Sequence, residues 1–519
     1  MSLRENHKNG RPRRAAKTGP GPERIAVLGM GHVGLPTALG FAEMGWNVIG
    51  ADSDRDKIAR LQRGDVFFHE MGLPELLNKH HSSGQFQLTH DIDAAIRQAT
   101  ILFICVGTPQ KENGEADLSQ VDALARTIAR NLNGYKLIIE KSTVPAITGQ
   151  WIRRTVTRYA TAHLRSGNGS ANSESQAALD SGKTAIDFDV ASNPEFLQEG
   201  TALEDFFHPA RIVCGVESKR AHGILARLYR PLKCPIVFTD VNTAELIKHT
   251  ANAFLATKIS FINMVADVCE RINADVNKVA EGIGLDPRIG KSFLNAGLGF
   301  GGYCLPKDLR ALIHLAEQHN VDAGLLRATE RINLSRIDHL MRKIRQALWL
   351  VRGKTIGVLG LAFKPHTDDV REAPSLQVIR AILAEGGMVR LYDPKAMDNC
   401  RALLPEEPGR ITYCATPYEV ARDAHAVLML TEWPEFLNLD LAFLRRSMAV
   451  PVLIDARNSW DLEKVRKAGF EYLSLGGPSQ QPNDLLPAMS TKTWLQAQNR
   501  LRSVRATAAG RSQWGSPLA

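Results

Sequence analysis

The sequence predicts an α/β fold in which two doubly wound, parallel-sheet domains are joined by a long central helix. Apolar runs of the length of a buried strand alternate with segments compatible with helices, first from residue 25 and again from residue 354. Between these two series, neither glycine nor proline interrupts residues 240–281. Apolar residues recur within that stretch at three- and four-residue spacing, as on one face of a helix.

The first domain is expected over residues 25–238 and should bind a dinucleotide. Its strands are predicted at residues 25–30, 46–51, 101–106, 136–140 and 188–191, and its helices at 35–44 and 91–99. Residues 161–187 are dominated by Ser, Asn, Gly and Ala and have lost the periodicity of regular structure. We therefore expect a flexible surface insertion there.

The central region is expected over residues 239–345. It begins with a predicted helix over residues 241–275, which could connect the domains and offer a dimer surface. The second domain is expected over residues 346–478 and repeats the pattern of the first. Its strands are predicted at residues 354–359, 388–392, 425–430 and 452–454, with a helix at 374–385.

The 519-residue chain carries a formal net charge of +9, which is concentrated at the termini. Residues 1–24 contain seven Lys or Arg against two Glu, and residues 491–519 contain five Lys or Arg without an acidic residue. The body between them is close to neutral, which argues against a nucleic-acid partner. We expect basic, disordered tails at residues 1–24 and 479–519, with a weak polyanion or membrane-surface contact as the alternative.

Composition also limits the compartment and the cofactor class. Seven cysteines are an odd number and too few for a disulfide scaffold, so a reducing, cytoplasmic location is expected. Apolar runs stay short of the roughly 18 residues that a membrane span needs, and the N-terminal charges are not followed by the apolar segment of a secretory signal. Cys and His lack the spacing of zinc ligands, so we expect no metal.

The first motif follows the first predicted strand and consists of Gly29, Gly31 and Gly34 in a G-x-G-x-x-G pattern. Asp52 ends the next predicted strand. The glycines permit a tight turn and close approach of a pyrophosphate to a helix N-terminus. The carboxylate accepts hydrogen bonds from a ribose diol and repels a 2′-phosphate. The pattern predicts a Rossmann-like domain that binds NAD, and a glycine turn without a cofactor is the alternative.

The second motif runs from Gly297 to Asp308 and places four glycines before Cys304. Pro306 suits the first turn of a helix, so that Cys304 is predicted at a helix N-terminus. There the helix dipole and Lys307 should lower the thiol pKa. Asp308 lies one helical turn further on and can face the same side. The alternative for a lone cysteine is a small buried hydrophobic residue, and we interpret the other six in this way: Cys105, Cys214, Cys234, Cys269, Cys400 and Cys414.

Two weaker patterns add polar side chains. Lys248 and Asn252 are four residues apart on the predicted central helix and share one face. An ammonium and an amide so placed can bind a developing oxyanion. Glu195 and Glu199 flank the start of a helix, where a buried glutamate is a candidate general base. The alternatives are a solvated helix face for the first pair and ordinary N-terminal acids for the second.

Together the motifs resemble the UDP-glucose/GDP-mannose dehydrogenase family of nucleotide-sugar dehydrogenases, from about Arg24 to about Gly477. The most specific segment is Phe300-Gly-Gly-x-Cys304-x-Pro-Lys-Asp308. Further matches are Glu140-Lys-Ser-Thr143-Val-Pro, His208-Pro-x-Arg211-Ile-Val, Gly284-Leu-Asp-x-Arg288-Ile-Gly, Phe363-Lys364 with Asp368 and Arg371-Glu372, and Leu430-Thr-Glu-Trp433. Members of this family oxidise a sugar-nucleotide alcohol to a carboxylate with two NAD and release no aldehyde.

The resemblance implies roles for individual residues. Those implied in catalysis are Cys304 as nucleophile, Lys248 and Asn252 as oxyanion ligands, and Thr143, Glu195 and Asp308 as residues that hold water and shuttle protons. Those implied in NAD binding are Gly29, Gly31, Val33, Gly34, Asp52, Lys57, Thr108, Pro109, Thr143, Glu199 and Arg371. Those implied in UDP-sugar binding are Glu195, Phe196, Leu197, Lys248, Asn252, Arg288, Asn295, Gly299, Phe300, Gly301, Phe363, Lys364 and Arg457.

The resemblance also implies an assembly and a substrate. In the family, the arginine matching Arg288 reaches the neighbouring subunit's site, which implies a homodimer or a larger homo-oligomer. The implied reaction is the four-electron oxidation of UDP-glucose to UDP-glucuronate through a cysteine thiohemiacetal and thioester. The second domain would then bind the UDP-sugar.

Three departures from the family pattern bear on the substrate. Tyr303 stands where serine is common, Leu305 where the UDP-glucose enzymes often have Phe, and Ala456 where glycine is usual. By contrast, Arg211 and Trp433 favour UDP-glucose. The alternatives are the same chemistry on GDP-mannose or a UDP-N-acetylhexosamine, a two-electron dehydrogenase, and a non-catalytic protein that binds through its tails.

Overall fold

A computed structural model describes residues 23–111, 114–165 and 187–477. The tails predicted at residues 1–24 and 479–519 fall outside the described residues, apart from residues 23 and 24, as do residues 166–186 of the predicted insertion. The insertion was expected to begin at residue 161, and this boundary is wrong because the helix Thr148–Arg165 continues beyond it. Within the described ranges, no helix is both long and apolar enough to cross a membrane.

An eight-stranded sheet organises the first domain. Its strands are β1 (Ile25–Leu28), β2 (Val48–Ala51), β3 (Phe86–Thr89), β4 (Ile101–Ile104), β5 (Lys136–Glu140), β6 (Phe188–Ser192), β7 (Ile212–Gly215) and β8 (Ile236–Thr239). They lie in the order β3-β2-β1-β4-β5-β6-β7-β8. All neighbours pair in parallel except β6 and β7, which meet antiparallel through one residue pair.

Helices cover both faces of this sheet. They are α1 (Gly34–Glu43), α2 (Arg55–Gln62), α3 (Leu73–Ser82), α4 (Ile92–Gln98), α5 (Ser119–Arg130), α6 (Thr148–Arg165), α7 (Ala202–Phe207) and α8 (Lys219–Tyr229). Because both faces are covered, the strands are apolar on both sides: Ile25 and Val27 belong to one core cluster, and Ala26 and Leu28 belong to the other.

The central region is helical. It contains α9 (Val241–Ile272), α10 (Val276–Gly284), α11 (Cys304–Gln318) and α12 (Gly324–Leu348). Helix α9 ends three residues before the predicted position, since Asn273 adopts a left-handed conformation with φ of +58° and Asp275 caps the next helix. Helix α9 packs against both α11 and α12, so residues of these two helices come together along α9.

A six-stranded parallel sheet organises the second domain. Its strands are β9 (Thr355–Leu359), β10 (Met388–Tyr392), β11 (Ile411–Tyr413), β12 (Ala426–Met429), β13 (Val452–Asp455) and β14 (Glu471–Ser474), in the order β11-β10-β9-β12-β13-β14. The helices are α13 (Pro374–Ala384), α14 (Met397–Leu403), α15 (Pro417–Val420), α16 (Pro434–Leu437), α17 (Leu441–Ser447) and α18 (Leu462–Lys467).

The predicted fold class is confirmed by these two doubly wound sheets and the long helix between them. In each sheet the strand order changes direction beside the first strand, between β1 and β4 and between β9 and β12. Ligands of such sheets bind at the carboxyl ends of the strands, in the crevice at this switch point. Two crevices are therefore expected, one in each domain.

Candidate active site

The turn after β1 leaves room for a ligand at the N-terminus of α1. Gly29 has a φ of +103°, and a Cβ there would lie 2.5 Å from the carbonyl oxygen of Cys105. A Cβ at Gly34 would lie 1.8 Å from a backbone oxygen, whereas one at Gly31 would meet no described atom within 4 Å. Helix α1 has no acidic residue in its first turn, and its N-cap, Val33, supplies no capping side chain. Open space and helix N–H groups fit the pyrophosphate of NAD.

Asp52 follows β2 directly and borders the same turn. Its Oδ2 accepts hydrogen bonds from the N–H of Met30 and from Nζ of Lys57, both at 2.8 Å. Its Oδ1 accepts from the N–H of Asp54 at 3.0 Å. These bonds fix the carboxylate at the place where an adenine ribose would lie in this fold, with the predicted Lys57 beside it.

The remaining cofactor candidates join loops of both domains. The hydroxyl of Thr108 donates to the carbonyl oxygen of Thr143 at 2.9 Å, which ties the loop after β4 to the loop after β5. Arg371 of the second domain donates from Nη2 to Oδ2 of Asp369 at 2.8 Å and to Oε1 of Glu199 at 3.3 Å. Burial, together with the negative charge of Asp369, raises the pKa of Glu199 to about 8. Glu199 and Arg371 thus meet across the cleft between the two domains.

Five predicted catalytic residues surround the start of α11. Cys304 is the first residue of this helix, and Asp308 lies one turn later, fully buried. Asn252 donates from Nδ2 to Oδ2 of Asp308 at 2.6 Å. Lys248 pairs through Nζ with Oε1 of Glu195 at 3.0 Å. Lys248 and Asn252 therefore point inward from α9, and the alternative of a solvated helix face is excluded.

Neighbouring charges decide which of these buried groups stay ionised. Burial opposes the charge of Lys248, but Glu195 and other anionic neighbours outweigh it and raise the lysine pKa. Burial likewise opposes the charge of Asp308, but Lys307 and other cations hold its pKa below the usual range. The site thus contains an ammonium and a carboxylate, and both charges act on the cysteine.

The predicted lowering of the Cys304 pKa is wrong. Burial raises the pKa of this thiol to about 12, and Glu195 adds to the shift while Lys248 opposes it. Lys307, which was expected to lower the pKa, directs its Nζ to Oδ1 of Asp308 at 2.5 Å instead. The cysteine lies at a helix N-terminus as predicted, but burial disfavours the charged thiolate.

The glycine loop before α11 is held by hydrogen bonds to its backbone. Asn333 of α12 accepts from the N–H of Phe300 at 2.8 Å and donates to its carbonyl oxygen at 2.9 Å. Arg336, which is fully buried, donates from Nε to the carbonyl oxygen of Gly297 at 3.0 Å, and Asn263 accepts from the N–H of Gly297 at 2.8 Å. These three roles are not visible in the sequence, because a polar residue within an amphipathic helix is ordinarily expected to face water.

The second domain contributes Phe363 and Lys364 from the turn after β9. A Cβ at Gly302 would lie 2.8 Å from the ring of Phe363, so this turn packs against the glycine loop. Burial lowers the pKa of Lys364, which also lies close to Glu199 and Cys304 in the charge network. The turn therefore brings an aromatic ring and an ammonium to the cleft, where a sugar nucleotide offers a base and a diphosphate.

Arg457 joins the same parts of the molecule. It donates from Nη1 to the carbonyl oxygen of Gly299 and from Nη2 to that of Phe363, both at 3.2 Å. Its Nε donates to the carbonyl oxygen of Leu430 at 2.7 Å. Since these bonds use donors on all three nitrogens, Arg457 holds three loops together, and its role in substrate binding stays a prediction.

Asn193 fixes the loop that carries Glu195, Phe196 and Leu197. Its Oδ1 accepts from Nζ of Lys141 at 3.1 Å, and its Nδ2 donates to the carbonyl oxygen of Val213 at 2.8 Å. The guanidinium carbon of Arg211 lies 3.5 Å from the centroid of the Phe196 ring. Lys141 and Arg211 belong to segments that the sequence singled out, but their contacts with this loop were not predicted.

Two predicted substrate residues lie apart from this arrangement. Asn295 is exposed, and the side chain of Arg288 is 86% exposed. Among the described residues, Arg288 bonds only to Asp286. An arginine that is exposed in one chain stays available to a second copy. No metal cluster appears in residues 23–111, 114–165 and 187–477: groups of three or more His, Cys, Asp or Glu that could hold an ion are absent there.

Comparison with known proteins assigns a family to the chain. The UDP-glucose/GDP-mannose dehydrogenase family matches through its NAD binding domain at residues 23–233, its central domain at 242–335 and its UDP binding domain at 357–462. The chain is 42% identical over 465 residues to the UDP-glucose 6-dehydrogenase TuaD of Bacillus subtilis, covering 89% of this chain and 95% of that protein. It is 42% identical over 462 residues to a UDP-glucose 6-dehydrogenase of Rhizobium meliloti, covering 88% and 100%.

A solved structure agrees with this match. A UDP-glucose dehydrogenase from the hyperthermophilic archaeon Pyrobaculum islandicum is 36% identical with a TM-score of 0.78, over 89% of this chain and 100% of that one. The family resemblance inferred from the motifs is thus confirmed, as is NAD as the cofactor of the matched domain. The chain therefore belongs to the UDP-glucose/GDP-mannose dehydrogenase family of NAD-dependent oxidoreductases.

Proposed function

We propose that the chain oxidises the primary alcohol of UDP-glucose to the carboxylate of UDP-glucuronate, with four electrons passing to two NAD. The observation that carries this proposal is the position of Cys304 within the network of Lys248, Asn252, Glu195 and Asp308. A thiol at this place can bond to an aldehyde and hold it for a second oxidation. Covalent attachment also explains how a reactive aldehyde stays on the protein.

The residues present fit NAD in the first crevice. The open glycine turn would hold the pyrophosphate, Asp52 would accept hydrogen bonds from the ribose, and Arg371 would approach from the second domain. When bound, NAD accepts a hydride from the substrate carbon in each oxidation.

In the first oxidation the hydroxyl loses its proton as the carbon loses its hydride, which leaves an aldehyde. Nζ of Lys248 and Nδ2 of Asn252 supply donors that stabilise the negative charge developing on the oxygen. Asp308 is the proposed proton acceptor, since its low pKa keeps it ionised and it already touches Asn252.

In the second stage, Sγ of Cys304 bonds to the aldehyde carbon and the thiol proton ends on the former carbonyl oxygen, which gives a thiohemiacetal. Because the pKa of the thiol is about 12, its proton must leave as the carbon–sulfur bond forms. Loss of a hydride and the hydroxyl proton then gives a thioester. Glu195 and Thr143 would hold the water that adds to this thioester, after which the carbon–sulfur bond breaks and the thiol regains a proton.

The choice of UDP-glucose rests on the relatives named above, on the matched UDP binding domain and on the motifs around Arg211 and Trp433. GDP-mannose and UDP-N-acetylhexosamines are the alternatives for the same chemistry. Leu305 and Tyr303 depart from the pattern usual for UDP-glucose, so the substrate must be tested directly.

The test is the number of NADH formed per nucleotide sugar, with purified full-length protein, excess NAD and limiting UDP-glucose. Two NADH and an acidic product are expected. One NADH with free aldehyde would overturn the thioester route. Turnover of GDP-mannose but not of UDP-glucose would overturn the assignment of UDP-glucose as the substrate. For the replacement of Cys304 by serine, Cys234→Ser is the matched control, because Cys234 is the other cysteine of intermediate exposure and lies outside the site.

We also propose that the chain forms a homodimer through α9. Exposed apolar residues at spacings of seven, three, four and four residues form one stripe on this helix: Phe254, Phe261, Met264, Val268 and Ile272. An exposed apolar stripe of this kind marks a protein interface. Sedimentation equilibrium should show a dimer or larger assembly that Phe261→Glu dissociates, and a monomeric parent chain would contradict the proposal.

A further inference from the structure

Two cationic side chains lie over the ring of Tyr303, the residue directly before Cys304. The guanidinium carbon of Arg371 is 4.5 Å from the ring centroid, and Nζ of Lys307 is 5.7 Å from it. Tyr303 is the N-cap residue of α11, so its backbone is fixed by the start of that helix. The mechanism proposed above gives this side chain no part.

The two cations belong to different charge networks. Lys307 is buried and pairs with Asp308 at 2.5 Å, so its position is set without the ring. The side chain of Arg371 is 43% exposed and shares its donors between Asp369 and the more distant Glu199. Removal of the ring therefore acts mainly on Arg371, whose guanidinium would lose the ring contact and keep its ion pairs with Asp369, through Nε and Nη2, and with Glu199.

We propose that Tyr303 is a positioning residue that holds the guanidinium of Arg371 over its ring face, in the orientation that the dinucleotide requires. The inference rests on the cofactor role proposed for Arg371. An aromatic face attracts a guanidinium through the ring quadrupole, and this attraction is stronger in a partly desolvated cleft. The hydroxyl plays no part in this contact, so the ring alone should suffice.

The first experiment compares Tyr303→Ser with Tyr303→Phe in the full-length protein. Calorimetric titration with NAD should show a dissociation constant raised about three- to tenfold by Tyr303→Ser, the range that a cation–π contact supplies. The KM for NAD should rise equally, while the KM for UDP-glucose and kcat at saturating NAD change less than about twofold. Tyr303→Phe should restore NAD binding. Equal effects of both substitutions, or a rise in the KM for UDP-glucose alone, would overturn the inference.

A double-mutant cycle separates this inference from the proposed function. Arg371→Met should weaken NAD binding, and adding Tyr303→Ser to it should weaken binding no further, because the ring then has no guanidinium to hold. If Arg371→Met leaves NAD binding unchanged, the cofactor role of Arg371 fails. If Arg371→Met weakens binding but the two effects multiply, only the role of Tyr303 fails.

The matched control is a second pair of the same kind outside the cleft. In the second domain, the guanidinium carbon of Arg401 lies 4.6 Å from the centroid of the Tyr413 ring. Arg401→Met removes this cation–π contact and should leave NAD binding as in the parent protein. An equal loss of NAD binding in this variant would show that the effect of Tyr303→Ser is not specific to the cleft and would overturn the inference.

Discussion

The two sheets begin with the same turn but present different groups at it. After β1, the N–H of Gly29 bonds to the carbonyl oxygen of Ala51 at the end of β2, at 2.7 Å. After β9, the N–H of Gly360 bonds to that of Tyr392 at the end of β10, at 2.9 Å. Both glycines have positive φ, +103° and +94°. The backbone of the nucleotide-binding turn is therefore built twice in this chain.

The aspartate after each second strand has the same bond but a different environment. Oδ2 of Asp52 accepts from the N–H of Met30 at 2.8 Å, and Oδ2 of Asp393 accepts from that of Leu361 at 2.7 Å. Asp393 also accepts from Nε1 of Trp433 and from further backbone N–H groups, and it is 1% exposed against 8% for Asp52. The carboxylate of Asp393 thus uses its hydrogen bonds to stabilise the second domain.

The third residue of each turn completes the contrast. A Cβ at Gly31 would meet no described atom within 4 Å, whereas the second turn already carries a methyl group at Ala362, which is fully buried. The second turn then continues into Phe363 and Lys364, which approach the glycine loop. Topology places a crevice in each domain, but the side chains of a few turn residues decide which part of a ligand can enter.

Replacement of the proposed nucleophile, Cys304, should give the largest effect and should separate chemistry from ligand binding at either turn. Cys304→Ser is expected to lower steady-state NADH formation more than about 1,000-fold, since a serine hydroxyl is a far weaker nucleophile at its ordinary pKa. The dissociation constants for NAD and UDP-glucose, measured by calorimetry, should change little. Retention of full turnover would favour the two-electron alternative.

Gly31→Ala tests whether the open position in the first turn admits the pyrophosphate. The new methyl group has space within the chain but would obstruct the ligand, so the KM for NAD should rise about 10- to 100-fold. The KM for UDP-glucose should stay near that of the parent protein. A change in the UDP-glucose KM alone would reverse the assignment of ligands to the two turns.

The control for this substitution is Gly223→Ala. Gly223 lies in α8, and a Cβ there would likewise meet no described atom within 4 Å. Alanine should stabilise the helix by about 1 kcal/mol, and NAD binding should be unaffected. An NAD KM raised equally in both variants would show that the effect of Gly31→Ala is not local.

The paired substitutions Asp52→Asn and Asp393→Asn test the two carboxylates. Asp52→Asn should raise the KM for NAD about fivefold and improve the use of NADP, because a neutral amide no longer repels a 2′-phosphate. Asp393→Asn should leave the NAD KM unchanged and cost about 2–4 kcal/mol, since an amide N–H₂ would face N–H donors. Kinetics and thermal unfolding distinguish these outcomes, and a stability loss confined to Asp52→Asn would contradict the comparison.

The first turn was predictable from sequence and the second was not. Gly29, Gly31 and Gly34 form a pattern because a ligand requires their lack of side chains, and Asp52 occurs at the expected distance. The second turn has one glycine in the corresponding place, so Phe363 and Lys364 were assigned only through family resemblance. Most inner strands were predicted in both domains, because burial on two faces demands continuous apolar runs. The sequence analysis missed β7 and the edge strands β3, β8, β11 and β14.

Contacts between distant segments were beyond the reach of the sequence. Asn333 bonds to Phe300, which lies 33 residues earlier, and the sequence of its helix α12 gives no sign of this contact. The predicted direction of the Cys304 pKa shift was wrong for a related reason. The helix terminus is a local feature, but burial raises this pKa and charges from three regions of the chain act on it, those of Glu195, Lys248 and Asp308. Motifs located the candidate residues, whereas the environment of each group required the tertiary structure.

The smallest effect concerns Glu199, where the two domains meet. Its pKa of about 8 lies above its unfolded value, so its contribution to stability is complete at low pH and is lost as pH rises towards and through 8. Glu199→Gln mimics the protonated form. Its melting temperature should match that of the parent protein near pH 5 and exceed it by about 1–2 °C near pH 8.5. Glu204→Gln, at a side chain that is 74% exposed, should show no such difference.

The contrary result would be a parent protein with a higher melting temperature than Glu199→Gln at pH 8.5. It would mean that Arg371 keeps Glu199 ionised throughout the pH range. The attraction of Arg371 would then outweigh burial, and the contact between the domains would be an ion pair at every pH tested.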